Sequence, residues 1–338
     1  MHTTLRPSKS ALLVALLATA SASASGLGPR LSAMLEHGRF EGTSVGFRML
    51  ALSFVADGCA ASDASDDRVG ARHCVEQAYH QALVLIRQQP RLADDSLWLS
   101  HLNLILGAAD RLGPCLDGER HRSVSATLRA RSLADPTAHA ASFSTGKSAT
   151  YRWPADQTAT LASLRRFDRA HGTDFAVEPA ARWIRFVLAS AFDGALALPW
   201  SEATGHAGHA RLPRGCALTF STIYLHELDD ALARRWWAAV KRHYFVDRGP
   251  AVGFREWPPG VDVRGDADSG PIVAGVGAAA TAFGLPAARI MGDGMLAERL
   301  SATASMFELA ARFDPALAKA AHTTLAEAIR FLGAHARP

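Results

Sequence analysis

Long runs of any one kind are missing from this chain. No stretch carries five or six like charges in succession, and no basic stripe is interleaved with aromatic residues, so a sequence pI of about 9.1 and a formal net charge of +4 do not describe a nucleic-acid-binding surface. The apolar run Ala11 to Ala20 is about half the roughly 20 residues that a spanning helix needs, and no later run qualifies, so no stable membrane span is expected. Apolar and polar residues hardly ever alternate, which argues against a sandwich or barrel of strands. Cysteine is sparse, with four in 338 residues and no CxxC, so a thiol redox motif or zinc ribbon is not expected. What remains is 49% hydrophobic and 20% charged, a globular composition long enough to bury one large core.

Residues 1–25 read as a secretory signal peptide: Arg6 and Lys9 supply a positive start, Ala11 to Ala20 an apolar centre, and Ser21 to Ser25 a small-residue cleavage zone. Arg6 and Lys9 also account for half of the net charge. Residues 26–338 then form a single domain, exported to the periplasm or secreted. An oxidising compartment permits disulfides. Cys59 and Cys74 flank an Asp/Ser-rich stretch and form the favoured pair, which leaves Cys115 and Cys216 as a long-range pair or as buried thiols.

Apolar residues recur at helical spacing almost throughout, giving an all-α reading. The spacing predicts helices over 43–56, 68–89, 95–112, 118–134, 156–170, 177–191, 215–229, 230–246, 271–283, 285–291, 294–311 and 315–332, with a short one within 28–38. Three long polar segments rich in Gly, Pro and aromatic residues, near 135–154, 193–214 and 247–270, interrupt them at near-regular intervals. Long connections therefore lead into helix pairs and short ones, such as His171 to Asp174, lie within them. This is the signature of a double-layered helical toroid, an (α/α)6 barrel, whose long loops gather at one end and build a pocket.

Several residues in those loops carry chemistry. Asp156 follows Tyr151, Trp153 and Pro154 at the start of a helix, which places an acid beside aromatic walls; an Asp in a first turn also simply favours the helix dipole. The stretch from Gly253 to Pro271 is the densest polar segment, holding Arg255, Glu256, Trp257, Asp262, Arg264, Asp266 and Asp268. Asp266, Asp268 and Gly270 match the start of a calcium loop, but no Glu stands at the twelfth position. Ser269 can cap the following helix, and the acids and arginines can brace the loops as an ionic network. Functionally, carboxylates from different loops converge, one neutral as acid and another ionised as base. His101 lies in the apolar helix SLWLSHLNLILG, where a lone histidine is more often a hydrogen-bonded core residue. His206 and His209 lack a third ligand nearby, so no metal is assigned, and the glycines of Val273 to Gly284 follow no strand and make no dinucleotide fingerprint.

Four strings together resemble the linalool dehydratase/isomerase family: HLNL with Gly107 (His101 to Gly107), DRAHGTD (Asp168 to Asp174), Arg255 and Glu256 with Asp266 and Asp268 downstream, and AARIMGD (Ala287 to Asp293). The resemblance covers roughly 95–300. It implies an (α/α)6 barrel, export, homo-oligomerisation, and cofactor-free acid/base chemistry on a small alcohol or alkene, with His101 in the active site. The family's two pocket cysteines align with Asp156 and a position near Lys147, an expected aspartate with the region of Leu50, and a pocket tyrosine with the region of Leu218. What carries over is a scaffold with a more ionic constellation of His101, Asp156, Arg214, Arg255, Glu256, Asp266 and Asp268.

Three functions follow from different classes. The first is a lyase or isomerase with catalytic Asp156, His101 and Asp268, and with Tyr151, Trp153, Arg214, Arg255, Glu256, Trp257 and Asp266 binding a small-molecule substrate. The second is a carbohydrate-active toroid in which Trp153, Trp200 and Trp257 stack on sugar faces and two of Asp156, Glu256 and Asp268 act as acid and base across an open cleft. The third is a non-catalytic periplasmic binding protein.

Overall fold

The computed structural model describes residues 26–62, 67–137, 152–203, 211–261, 263–266, 268–273 and 275–338. The leader, Tyr151, Lys147, Asp262, His206 and His209 lie outside the described residues. Helices dominate the rest: α1 (Pro29–His37), α2 (Val45–Ser62), α3 (Arg68–Gln88), α4 (Ser96–Leu112), α5 (Gly118–Ala134), α6 (Pro154–His171), α7 (Val177–Ser190), α8 (Gly215–Leu225), α9 (Asp230–Tyr244), α10 (Ala278–Ile290), α11 (Gly294–Ala311), α12 (Pro315–Ala321) and α13 (Thr324–His335). The strands among the described residues form three antiparallel two-stranded hairpins: β1 (Phe192–Asp193) with β2 (Leu198–Pro199), β3 (Phe245–Arg248) with β4 (Ala251–Phe254), and β5 (Ile272–Val273) with β6 (Val276–Gly277).

Two kinds of helix are distinguishable by their buried faces. Helix α2 is buried from Met49 to Ala60 on every side and α8 almost throughout, whereas α9 buries Leu232, Ala233, Trp236, Trp237, Val240 and Tyr244 at spacings of a single stripe. Helices α2 and α8 belong to an inner set, in which α2 packs on α4, α4 on α6, α6 on α8, α8 on α10, α10 on α13, and α13, itself buried along one stripe, again on α2. Outside them, α3 leans on α2 and α4, α5 on α4 and α6, α7 on α6, α9 on α8, α11 on α10, and α1 on α13 and α3. Buried polar side chains tie inner neighbours together. Ser100 and Thr160 share a 2.7 Å hydrogen bond between α4 and α6, and Asn103 donates to Ser163 and accepts from Ser125, both at 3.1 Å, so that α4, α5 and α6 are joined at one residue.

The inner helices share one direction, because the first turns of α2, α4, α6, α8, α10 and α13 face one cavity while Asp57, Asp110, Arg166, Ile223, Ile290 and Leu332, late in the same helices, face another. Inner-to-outer turns are therefore short and lie at the second end. The turn after α6 is held by Asp168, whose carboxylate accepts from Thr173 Oγ1 at 2.6 Å and from the peptide N–H groups of Phe175 and Ala176 at 2.7 and 2.9 Å, with Gly172 at φ 66° closing the helix. Asp67, Asp95, Asp117, Asp229 and Thr323 cap the starts of α3, α4, α5, α9 and α13.

Differences from the expected helices have local causes. The stretch 271–283 opens as the β5–β6 hairpin, and a single α10 continues through Pro286 where two helices were expected. The run 315–332 breaks at Thr323, which turns extended to cap α13 and splits it from α12. Cys59 and Cys74 form a disulfide between α2 and α3, while Cys115 and Cys216 are free thiols and not a long-range pair. Helix α2 is the one described helix long and apolar enough to cross a membrane, and it is packed inside the bundle.

Candidate active site

The cavity at the N-terminal ends of the inner helices has a volume of about 890 Å³ and a largely apolar lining, with Leu50 from α2, Leu97 from α4, Phe220 from α8 and Phe283 from α10. A short list of polar groups interrupts that lining. Asp156 reaches it from the first turn of α6, beside Trp153, which precedes Pro154 at the helix start. No hydrogen bond from the described residues reaches the Asp156 carboxyl. Burial, together with the charges of Asp268 and Asp95, pushes its pKa up to about 8. At neutral pH it is a carboxylic acid facing an apolar chamber.

A second polar group enters from the start of α8. Arg214 Nε donates to Glu256 Oε1 at 2.8 Å and its Nη2 to Asp266 Oδ1 at 2.9 Å, and its guanidinium lies 5.0 Å over the Trp257 ring. The Cys216 thiol donates to Glu256 Oε1 at 3.0 Å, and the Cys216 N–H to Oε2 at 3.2 Å. Burial raises the Glu256 pKa against the pull of Arg214, and burial followed by the Glu256 charge raises that of Cys216 well above the ordinary thiol range. Cys216 is thus a neutral thiol at the cavity wall. Gly215 makes this approach feasible: its N–H bonds the Glu256 carbonyl at 2.8 Å, and a Cβ there would overlap the Arg255 carbonyl oxygen.

Asp266, Asp268, Ser269 and Gly270 are tied together by local hydrogen bonds, among them the Gly270 N–H to the Asp266 carbonyl at 3.0 Å. Asp266 Oδ1 accepts from Arg214 and from the N–H groups of Asp268 and Ser269, at 3.1 and 2.9 Å for the last two, while Ser269 Oγ accepts the Asp266 N–H at 2.8 Å. Burial works against ionisation of Asp266, but the Arg214 charge and these hydrogen bonds outweigh it and lower the pKa. The turn delivers Asp268 to the cavity within electrostatic reach of Asp156.

Of the residues expected from the sequence, Asp156, Trp153, Arg214, Asp266 and Asp268 line the cavity. Glu256 and Trp257 stand directly behind it, holding Arg214 and Cys216. Arg255 is not a lining residue; its peptide N–H pairs with Tyr244, and its neighbour supplies the carboxylate. Nor does His101 line the chamber. It is fully buried among Phe54, Phe220 and Tyr224, and its Nδ1 shares a 2.6 Å hydrogen bond with Ser53 Oγ, which also lies 2.9 Å from the Leu50 carbonyl oxygen. Trp200 stacks under Arg211, away from the lining.

Sequence reasoning missed Cys216 and Asp95. The available signal for Cys216 was its place at the start of a helix after Pro213, Arg214 and Gly215; for Asp95 it was a cap position, where burial raises the pKa to about 6. Compared with known proteins, the chain matches no protein-family model and no curated sequence.

Proposed function

We propose that the protein is an enzyme of acid/base elimination or isomerisation, acting without a cofactor on a small, mostly apolar alcohol or alkene. The observation that carries this reading is a protonated Asp156 in a largely apolar cavity of about 890 Å³. Asp156 gives its proton to the substrate hydroxyl, the C–O bond breaks, and water leaves. Asp268 takes a proton from the adjacent carbon, whose C–H electron pair becomes the new double bond. Return of that proton from Asp268 to Asp156 resets the site, and no oxidant or reductant is consumed. Arg214, fixed by Glu256 and Asp266, and the Cys216 thiol orient the departing oxygen.

The scaffold we assign is the double-layered (α/α)6 toroid, supported by six inner helices whose contacts return to their start. The reading keeps the likeness to linalool dehydratase/isomerase proteins, with export through residues 1–25 and assembly of several copies as further parts of it. A carbohydrate-active site fits less well, since the chamber is apolar where sugar hydroxyls would need partners.

Thermal-shift titration with tertiary terpene alcohols against oligosaccharides tests the reading, followed by product analysis with the alcohol that binds. A shift with alcohols and alkene formation that disappears in Asp156→Asn is expected. Stabilisation by oligosaccharides alone, or unchanged turnover in Asp156→Asn, would overturn it.

A further inference from the structure

At the opposite end of the inner helices, four potential metal ligands from separate segments meet. Asp110 lies in the last turns of α4, Cys115 in the turn to α5, His121 in the first turn of α5, and His171 at the last position of α6. One donor atom from each lies within 4.8 Å of all the others. His121 Nδ1 and His171 Nε2 both lie 3.0 Å from Asp110 Oδ2, and 3.4 Å from one another. These three edges match the separation of about 3.3 Å between nitrogen or oxygen donors around a tetrahedral zinc ion with bonds near 2.0 Å.

The four side chains also interact among themselves, with His121 and the Cys115 thiol both hydrogen-bonded to the Asp110 carboxylate. Both ring nitrogens converge on one carboxylate oxygen, Asp110 Oδ2, so that two N–H donors aimed at it would face each other across 3.4 Å. The other carboxylate oxygen, Asp110 Oδ1, is buried too, on a side chain only 6% exposed. His121 is fully buried. One buried and one half-buried imidazole, a carboxylate and a thiol are the mixed N, O and S donor set that suits zinc, whereas calcium and magnesium require oxygen alone.

We propose that Asp110, Cys115, His121 and His171 form a structural zinc site that fastens the ends of α4, α5 and α6. Four protein ligands close the coordination sphere, so the ion braces the fold and leaves no position for substrate. Zinc enters as the divalent ion, the Cys115 thiol loses its proton to solvent, and the thiolate and the facing imidazole lone pairs bind it. The half-buried Cys115 and the solvent cleft bordered by Asp110 give the ion a route in. The site stands apart from the acid/base cavity and does not depend on that function.

The test uses the full chain, freed of metal by a chelator and titrated with Zn2+ against a chromophoric competitor, and separately with Co2+ as a spectroscopic probe. One equivalent of Zn2+ bound at submicromolar affinity is expected, with intense tetrahedral visible bands and a thiolate-to-cobalt charge-transfer band in the Co2+ form. Cys115→Ser removes the charge-transfer band, and His171→Asn weakens Zn2+ binding by at least about tenfold. Circular dichroism establishes folding of each variant; should His171→Asn not fold, Cys115→Ser at its half-buried turn position decides alone. The proposal is overturned if no equivalent binds, if the charge-transfer band survives Cys115→Ser, or if binding is lost instead in the double variant His206→Ala/His209→Ala.

Discussion

The two ends of the inner helices treat acidic residues in opposite ways. At the end where the helices finish, every buried acid of the ionic network has a cation: Arg166 bridges Asp57 at 2.5 Å and Glu227 at 2.8 Å, and Arg169 adds a 2.7 Å contact to Glu227. Where the helices begin, Arg214 satisfies Glu256 and Asp266, but Asp156 interacts with the charges of other acids, Asp268 and Asp95, and forms no ion pair among the described residues. Paired charge holds three helices in register. Burial first, and then the charges of neighbouring acids, keep the proton on Asp156, so the same residue type is a brace at one end and, in the proposed reaction, the proton donor at the other.

The contrast breaks most severely if Asp156→Asn leaves turnover intact. We expect a loss of about 10²-fold to 10⁴-fold in kcat with the alcohol identified by binding, the usual contribution of a positioned acid. At the other end, Arg166→Met leaves Asp57 and Glu227 buried without their partner and should cost about 3–5 kcal/mol in urea denaturation, with the rate per folded molecule preserved. A smaller effect concerns stability against pH. Between its ordinary value of 3.8 and about 8, Asp156 is protonated in the folded state and ionised in the unfolded one. The folded protein binds more protons across that window, so this carboxyl makes stability fall as pH rises, and Asp156→Asn should flatten the profile and gain about 1–3 kcal/mol at pH 8. Smallest is the effect of Asp268→Asn on the acid itself: removing a neighbouring negative charge lowers the Asp156 pKa, and NMR titration of the carboxyl should find its midpoint displaced to lower pH by about one unit or less.

Much of the helical architecture was legible because periodicity reports which residues are buried, and burial governs α9 as fully as α2. The failures fall where a side chain or turn overrides periodicity. Thr323 caps a new helix inside an apolar run, and residues 272–277 fold back as a hairpin although their composition suits the helix that follows. The candidate site was legible where loops concentrate polar residues, as with Asp156 and the Arg214, Glu256 and Asp266 cluster. It was illegible where partners are distant in sequence: Cys216 becomes interesting only because Glu256 folds over it, and His171 only because the end of α6 meets the turn between α4 and α5. His101 shows the converse, since a motif histidine in an apolar helix proves to be seated among aromatic rings with Ser53 as its partner.

The shared direction of the inner helices also divides the molecule into a part open to change and a part that is not. The connections leading into α2, α8, α10 and α13 reach the cavity through Thr43, Arg214, Asp268 and Thr323, while the described turns leading out of α6 and α8 are tied into charges at the far end by Asp168 and Glu227. Exchanging a cavity-side segment can therefore reshape the chamber for a new guest without disturbing the contacts that close the bundle. An inserted residue in the turn held by Asp168 has no such freedom, because it would displace His171 and the end of α6 together.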